Sequence, residues 1–248
     1  MRLRSTDSMI VAGQVARLYF IRLIMTEEPE KKAIVAVLLA QHGRPFASEL
    51  GIDISRNTPS ALFRLLCASI LFSARIKATV AMKAARVLFA QGWTTAQKLS
   101  ESTWEQRVRV LNHAGYARYD ESTSRMLGET AALLLTAYGG DLRRLRAKAG
   151  RQPQEERRLL KEFKGLGNVG VDIFFREVQF VWDELYPFAD AKALQAARRL
   201  GLGGDVHQIA ALVDRAKFVR LVAALVRVSL SGRFEEIETQ AEDGMTGR

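Results

Sequence analysis

Two stretches of the chain carry groups whose types and spacing could do chemistry. The first is Lys164-Gly165-Leu166-Gly167, a break between two runs of apolar residues at helical spacing. Leu159, Leu160 and Phe163 precede it, and a run from near Val169 through Ile173, Phe174 and Val178 follows it. The pattern predicts helix, tight hairpin, helix over about 159–181. Glycine at 165 and 167 suits a short reversal, because a Cβ opposes positive φ and close backbone approach. The second helix then starts near Val169, beside a loop without bulky side chains. Its first N–H groups have no intrahelical partner and can seat a phosphate. The same turn would also serve as a plain connection between helices.

The second stretch is PFADAKALQAARRLGL, with Asp190 just ahead of a helical run. Aspartate suits the N-cap of that helix, a role worth about 1 kcal/mol. A carboxylate there can also stabilise developing positive charge and orient or deprotonate a water. The two roles do not compete. Asp172, early in the second hairpin helix, either favours that helix's positive end or simply faces solvent.

The elements that must position these groups read as helices throughout. Residues 30–41 carry Ile34, Val35, Leu38 and Leu39 on one face, and residues 60–72 are apolar nearly all round, which marks a helix buried on most sides. A third helix is expected over 77–91. Ser102-Thr103-Trp104-Glu105 reads as a capping box opening a fourth with Val108 and Leu111. A fifth over about 122–138 buries Met126, Leu127, Leu134 and Leu135. Between them, Gly115-Tyr116-Ala117-Arg118-Tyr119 is a loop of aromatics and arginine. Residues 141–158 hold seven basic and three acidic residues around a GRQPQ loop and read as a solvated face. Helices follow over 190–200, 205–213 and 215–230, and the acidic segment 236–248 reads as a flexible tail. No alternating apolar run is long enough to argue for a sheet, so the fold class is all-α.

A chain of 248 residues with 48% hydrophobic content can bury a substantial core. A net charge of +10 and a pI near 10.0 favour a polyanionic partner, since lysines and arginines that neutralise phosphates supply most non-specific nucleic-acid affinity. The single Cys67 excludes disulfides within the chain and reads as a buried small hydrophobe. His42, His113 and His207 are far apart and without partners at ligand spacing, so no metal is expected. Residues 1–25 are apolar but interrupted by Gln14, Arg17 and Arg22. They read as an amphipathic helix or an upstream extension ahead of Met25, and not as a membrane span or a secretion signal. A cytoplasmic, monomeric protein is the expectation.

The stretch FKGLGNVGVDIF resembles the helix-hairpin-helix of the base-excision DNA glycosylase superfamily that includes endonuclease III. Phe163, Gly165, Leu166 and Gly167 match that pattern, and Lys164 replaces the usual proline. Asp190 stands where that family has its aspartate, about twenty residues further on. Upstream, TPSALFRLLCASILFSARIKATVAMKAARVLF is similar to the family's first two helices, with Ser73-Ala74-Arg75 where Ser-Ala-Gln is frequent. The resemblance spans about 56–202. It implies a six-helix barrel over 56–185 carrying the hairpin, and a second helical lobe from 26–55 and 186–235, with duplex DNA bound across the cleft between them.

The resemblance also assigns roles. Asp190 would be the catalytic carboxylate. Lys164, Gly165, Leu166, Gly167, Asn168 and Gly170 would bind DNA at the hairpin, with Arg75, Tyr116 and Arg118 contacting it elsewhere. Arg75 or Tyr116 would be the wedge that fills the gap left by a nucleotide turned out of the duplex. Each has a plainer alternative, a helix-end cap for Arg75 and packing within its own domain for Tyr116. Bifunctional relatives carry a Schiff-base lysine where this chain has Val169, so a glycosylase that uses water, without a lyase step, is implied. One cysteine cannot ligate the iron-sulfur cluster that several relatives hold, and no cofactor is expected. The rival readings are a non-catalytic DNA-binding protein on the same scaffold and a helical protein-interaction domain.

Overall fold

The architecture is built around α3 (Pro59–Ser73). Thr58 opens it by accepting a hydrogen bond from the Ala61 amide, and Pro59 occupies the first turn, where no N–H is needed. Ten consecutive side chains except Arg64, from Ala61 to Leu71, are buried, so the helix meets neighbours on all sides, as its uniformly apolar sequence requires. The computed structural model describes residues 28–246, and the expected extension over 1–25 lies outside them.

Around α3 stand α4 (Ala78–Ala90), α7 (Asp120–Tyr138), α8 (Leu142–Lys148) and α10 (Asn168–Val178), with α5 (Ala96–Ser100) and α6 (Trp104–His113) packed on α7. The hairpin consists of α9 (Pro153–Leu160), a turn over 161–167, and α10. α10 packs on α3 on one side and on α13 (Arg215–Ser231) on the other, and α11 (Ala191–Arg199) lies along α13. The helix over 28–41, here α1, and the short α2 (Phe46–Glu49) are held against α13 by arginines: Arg220 donates to the carbonyls of Gly43 and Leu39, and Arg227 to that of Arg44. The chain is completed by α12 (Val206–Ala210) and α14 (Phe234–Thr246). One continuous apolar core runs through both ends of the chain. Among the described residues there is no strand, and no helix is long and apolar enough to cross a membrane.

Three local expectations are corrected. The capping box belongs to Thr103 and Gln106: Thr103 accepts from the Gln106 amide while the Gln106 side chain accepts from the Thr103 amide at 2.8 Å. Ser102 instead turns its hydroxyl to the Leu99 carbonyl. The basic run over 141–158 is not a single solvated face, because Leu142 and Leu145 anchor α8 and Pro153 already starts α9. The segment expected as a flexible tail over 236–248 is helical to Thr246. Phe234, Ile237 and Ala241 fall on one helical face and are buried, and the Arg199 guanidinium covers the Phe234 ring at 4.0 Å.

Ile237 has no exposed surface. Ile237→Ala should therefore destabilise the protein by about 2–5 kcal/mol, read as a lower denaturant midpoint at unchanged slope. A frayed tail would leave the midpoint where it was.

Candidate nucleic-acid interface

The hairpin turn is held from inside the bundle. Gly165 adopts φ +83, and a Cβ there would stand 2.7 Å from Met126 Sδ and 3.1 Å from Ile70 Cγ2. The Ser73 hydroxyl donates to the Gly165 carbonyl at 3.2 Å, which ties the loop after α3 to the turn. Gly170 is equally close-packed: a Cβ would meet Leu166 Cδ1 at 2.8 Å, so this glycine lets α10 approach α3. Gly167 differs. Its φ is −80, and a Cβ there would meet nothing within 4 Å. No side chain caps α10, so the first-turn amides of Asn168 and Val169, both exposed residues, lie next to an open surface.

Lys164, Gly167, Asn168, Arg75 and Arg118 are exposed. Lys164 presents its side chain while its carbonyl faces Thr130 Oγ1 at 3.5 Å, and Arg118 lies over the Tyr119 ring at 5.3 Å. Three expected contacts turn inward. Gly170 is buried in the first turn of α10, against the Leu166 side chain. Tyr116 is 1% exposed and donates its hydroxyl to the Leu71 carbonyl at 3.0 Å, so it is a core residue that braces the end of α3 and not a wedge. Burial also raises the affinity of that hydroxyl for its proton. The Leu166 side chain is buried and its amide donates to the Phe163 carbonyl, so neither is available to a phosphate.

A cleft of about 540 Å³ opens beside the hairpin. Its walls come from Phe72 at the end of α3 and Arg75 in the loop that follows, from Val169, Asp172 and Arg176 of α10, from Asp190 and Lys192 at the start of α11, and from Leu230 of α13. The structure thus brings Asp190, Arg75 and the open end of α10 to one cavity. Val169 and Leu230, 57% and 50% exposed, give it apolar lips. Asp190 caps α11 as expected, Oδ1 accepting from the Ala193 amide at 2.9 Å. Oδ2 accepts from Arg176 Nη1 at 2.5 Å, and both partners are more than nine-tenths buried. The second carboxylate of the cleft, Asp172, is bound by Arg157 at 2.7 Å.

Residues that sequence reasoning passed over do the positioning. Arg176 fixes Asp190. Its neighbour Glu177, 2% exposed, accepts from the amides of Phe46 and Ala47 at 3.1 and 3.2 Å and so caps α2 from another helix. Burial pushes the Glu177 carboxyl up, opposed by Arg176 and by those two amides. Gln179 donates to the Phe188 carbonyl and accepts from the Phe188 amide, which fastens the segment leading into Asp190. The signal was present in FFREVQF, where polar residues interrupt an otherwise apolar helix. Among the described residues no group of three or more His, Cys, Asp or Glu converges as a metal would require, and Cys67 is buried.

No family model matches the chain, and no curated protein matches it. A solved endonuclease III, trapped as a covalent intermediate with DNA in an estranged-adenine complex, is similar over 67% of this chain and 73% of its own, at 17% identity and a TM-score of 0.45. A likeness of that size carries no argument about function, and the reading below stands on the cleft itself.

The two hairpin glycines should behave oppositely. Gly165→Ala meets both positive φ and Met126 and should lower the melting temperature by several degrees. Gly167→Ala should melt like the parent, so that any loss of DNA affinity in it reports the surface alone. Equal melting temperatures for the two variants would contradict this assignment.

Proposed function

We propose that the chain is a DNA glycosylase that hydrolyses the N-glycosidic bond of a damaged or mismatched base, with Asp190 as its catalytic carboxylate. The observation that carries this reading is the convergence of Asp190, Arg75 and the uncapped start of α10 on one cleft large enough for a small ligand. The exposed amides of α10 and the neighbouring Lys164 offer phosphate contacts. A nucleotide turned out of the duplex would enter between Val169 and Leu230, with Arg75 as the candidate wedge.

In the cleft, positive charge develops on the deoxyribose as the base departs. A fixed carboxylate stabilises it without reorganising. An ionised carboxylate has about four acceptor sites. The Ala193 amide and Arg176 use one on each Asp190 oxygen, which leaves capacity for an attacking water. Val169 carries no nucleophile at the mouth of the cleft, so the reaction stops at an abasic site.

A non-catalytic DNA-binding role is the second reading, and the Arg176–Asp190 pair favours it. A guanidinium at 2.5 Å offsets part of the charge that the transition state needs. The two readings diverge on base release from duplexes containing uracil, alkylated purines, oxidised bases or mismatches.

Binding to duplex DNA should show little sequence preference and fall steeply with salt. Base release should leave an intact strand that breaks only on heating with alkali, and borohydride should trap no covalent adduct. Asp190→Asn should abolish release with DNA binding retained. It also sets an amide N–H₂ or a single oxygen against Arg176, so a loss of about 3–5 kcal/mol is expected for the broken pair. The double variant Arg176→Met/Asp190→Asn removes that conflict and should regain stability without regaining activity. Release by Asp190→Asn at the parent rate would end the catalytic assignment, and a parent that releases no base from any duplex would leave the binding role in its place.

A further inference from the structure

We infer that the first helix of the hairpin is docked through a carboxyl pair, Glu156 of α9 and Glu184 of the 183–185 turn, which holds one proton and shares one guanidinium, Arg146, so that losing the proton loosens α9 as pH rises. The inference concerns docking of the helix and does not depend on the reaction proposed above.

Glu156 has no exposed surface, and no N–H or O–H of the described residues is donated to either of its oxygens. Among the described residues, the cation that acts on it is Arg146 of α8, which is already committed: Nε and Nη2 bind the two oxygens of Glu184 at 2.6 and 2.5 Å, and the guanidinium lies over the Trp182 ring at 5.4 Å. The remaining charges are engaged elsewhere. Asp183 on the same turn is largely exposed and paired with Arg215. On α9 itself Glu155 is held by Arg158, and Arg157 by Asp172. An ionised Glu156 would be a buried charge without its own partner, which is costly. A neutral Glu156 can donate its O–H to the Glu184 carboxylate beside it, which removes the buried charge and gives one of its two oxygens a partner.

The titration behaviour agrees with this geometry. Burial, then the neighbouring Glu184, push the Glu156 carboxyl well above the ordinary carboxylate range. Glu184, although burial acts the other way, is held below that range by its bonds to Arg146 and Glu156. Because the folded chain binds the Glu156 proton more tightly than the unfolded chain, this contribution to stability is complete below about pH 4.3 and declines as pH rises towards the raised folded value. The Glu184 contribution has the opposite sign and is lost only in strong acid.

Amide hydrogen exchange of the full chain, corrected for intrinsic rates, tests the latch between roughly pH 6 and 9. The opening of α9 should rise with pH by up to about tenfold per unit, the limit for one proton. Glu156→Gln should flatten the α9 profile, because its amide donates to Glu184 and cannot ionise. A flat α9 profile in the parent, or a Glu156→Gln variant that keeps the slope, would overturn the proposal. The parent profile alone decides the matter if the variant does not fold.

Discussion

The ion pair between Arg176 and Asp190 is the contact on which the arrangement of the cleft depends. Arg176 belongs to the second hairpin helix and Asp190 to the cap of α11, so one hydrogen-bonded pair sets the distance between the two walls. Its neighbours extend the same function. Glu177, one position on, holds α2, and Gln179 holds the segment before Asp190. Buried pairs of this kind contribute little net stability, because the desolvation of both charges nearly cancels their attraction. What they supply here is geometry. An apolar contact would let α11 slide along α10, whereas a capped carboxylate facing a guanidinium has one acceptable position.

The same economy governs the basic charge. Several arginines spend their donors on the protein itself. Arg107 binds the carbonyls of Ser102 and Ser124, Arg220 that of Gly43, and Arg227 the carboxylate of Glu49. The net charge of the chain therefore overstates what a polyanion would meet. The cations left at the surface near the hairpin and the loop after α3 include Arg75, Lys77, Lys161, Lys164 and Lys192. Arg75 and Lys192 line the cleft with the open end of α10, a placement that the total charge alone would not locate.

The sequence made some of this legible and hid the rest for identifiable reasons. The all-round apolar character of α3, the glycine turn of the hairpin and the cap at Asp190 are local properties, and local patterns express them. Tyr116 was misjudged because an aromatic in a glycine-containing loop reads the same whether it faces out or reaches the Leu71 carbonyl. The last helix was hidden by its acidic residues, although its spaced apolar side chains were there to be read. Arg176, Glu156 and Glu184 could not be placed at all, since each acquires its meaning from a partner on another element. The division of the chain at about residue 185 likewise depends on packing, and α10 gives one core to both sides of that boundary.

The cap on α2 bears on the order in which the chain can assemble. The amide of Phe46 finds its acceptor 131 positions later, at Glu177, and Arg227 reaches back 183 positions to the Arg44 carbonyl. Within α3 to α10, by contrast, many contacts join neighbouring helices and close short loops, which cost less entropy and form sooner. During synthesis the α1–α2 segment leaves the ribosome well before α10 and α13, yet its acceptors and its apolar seat exist only once those helices have been made. A segment made early is thus among the last to dock, and until then Leu38 and Phe46 stay in water for a chaperone or a neighbouring nascent chain to find.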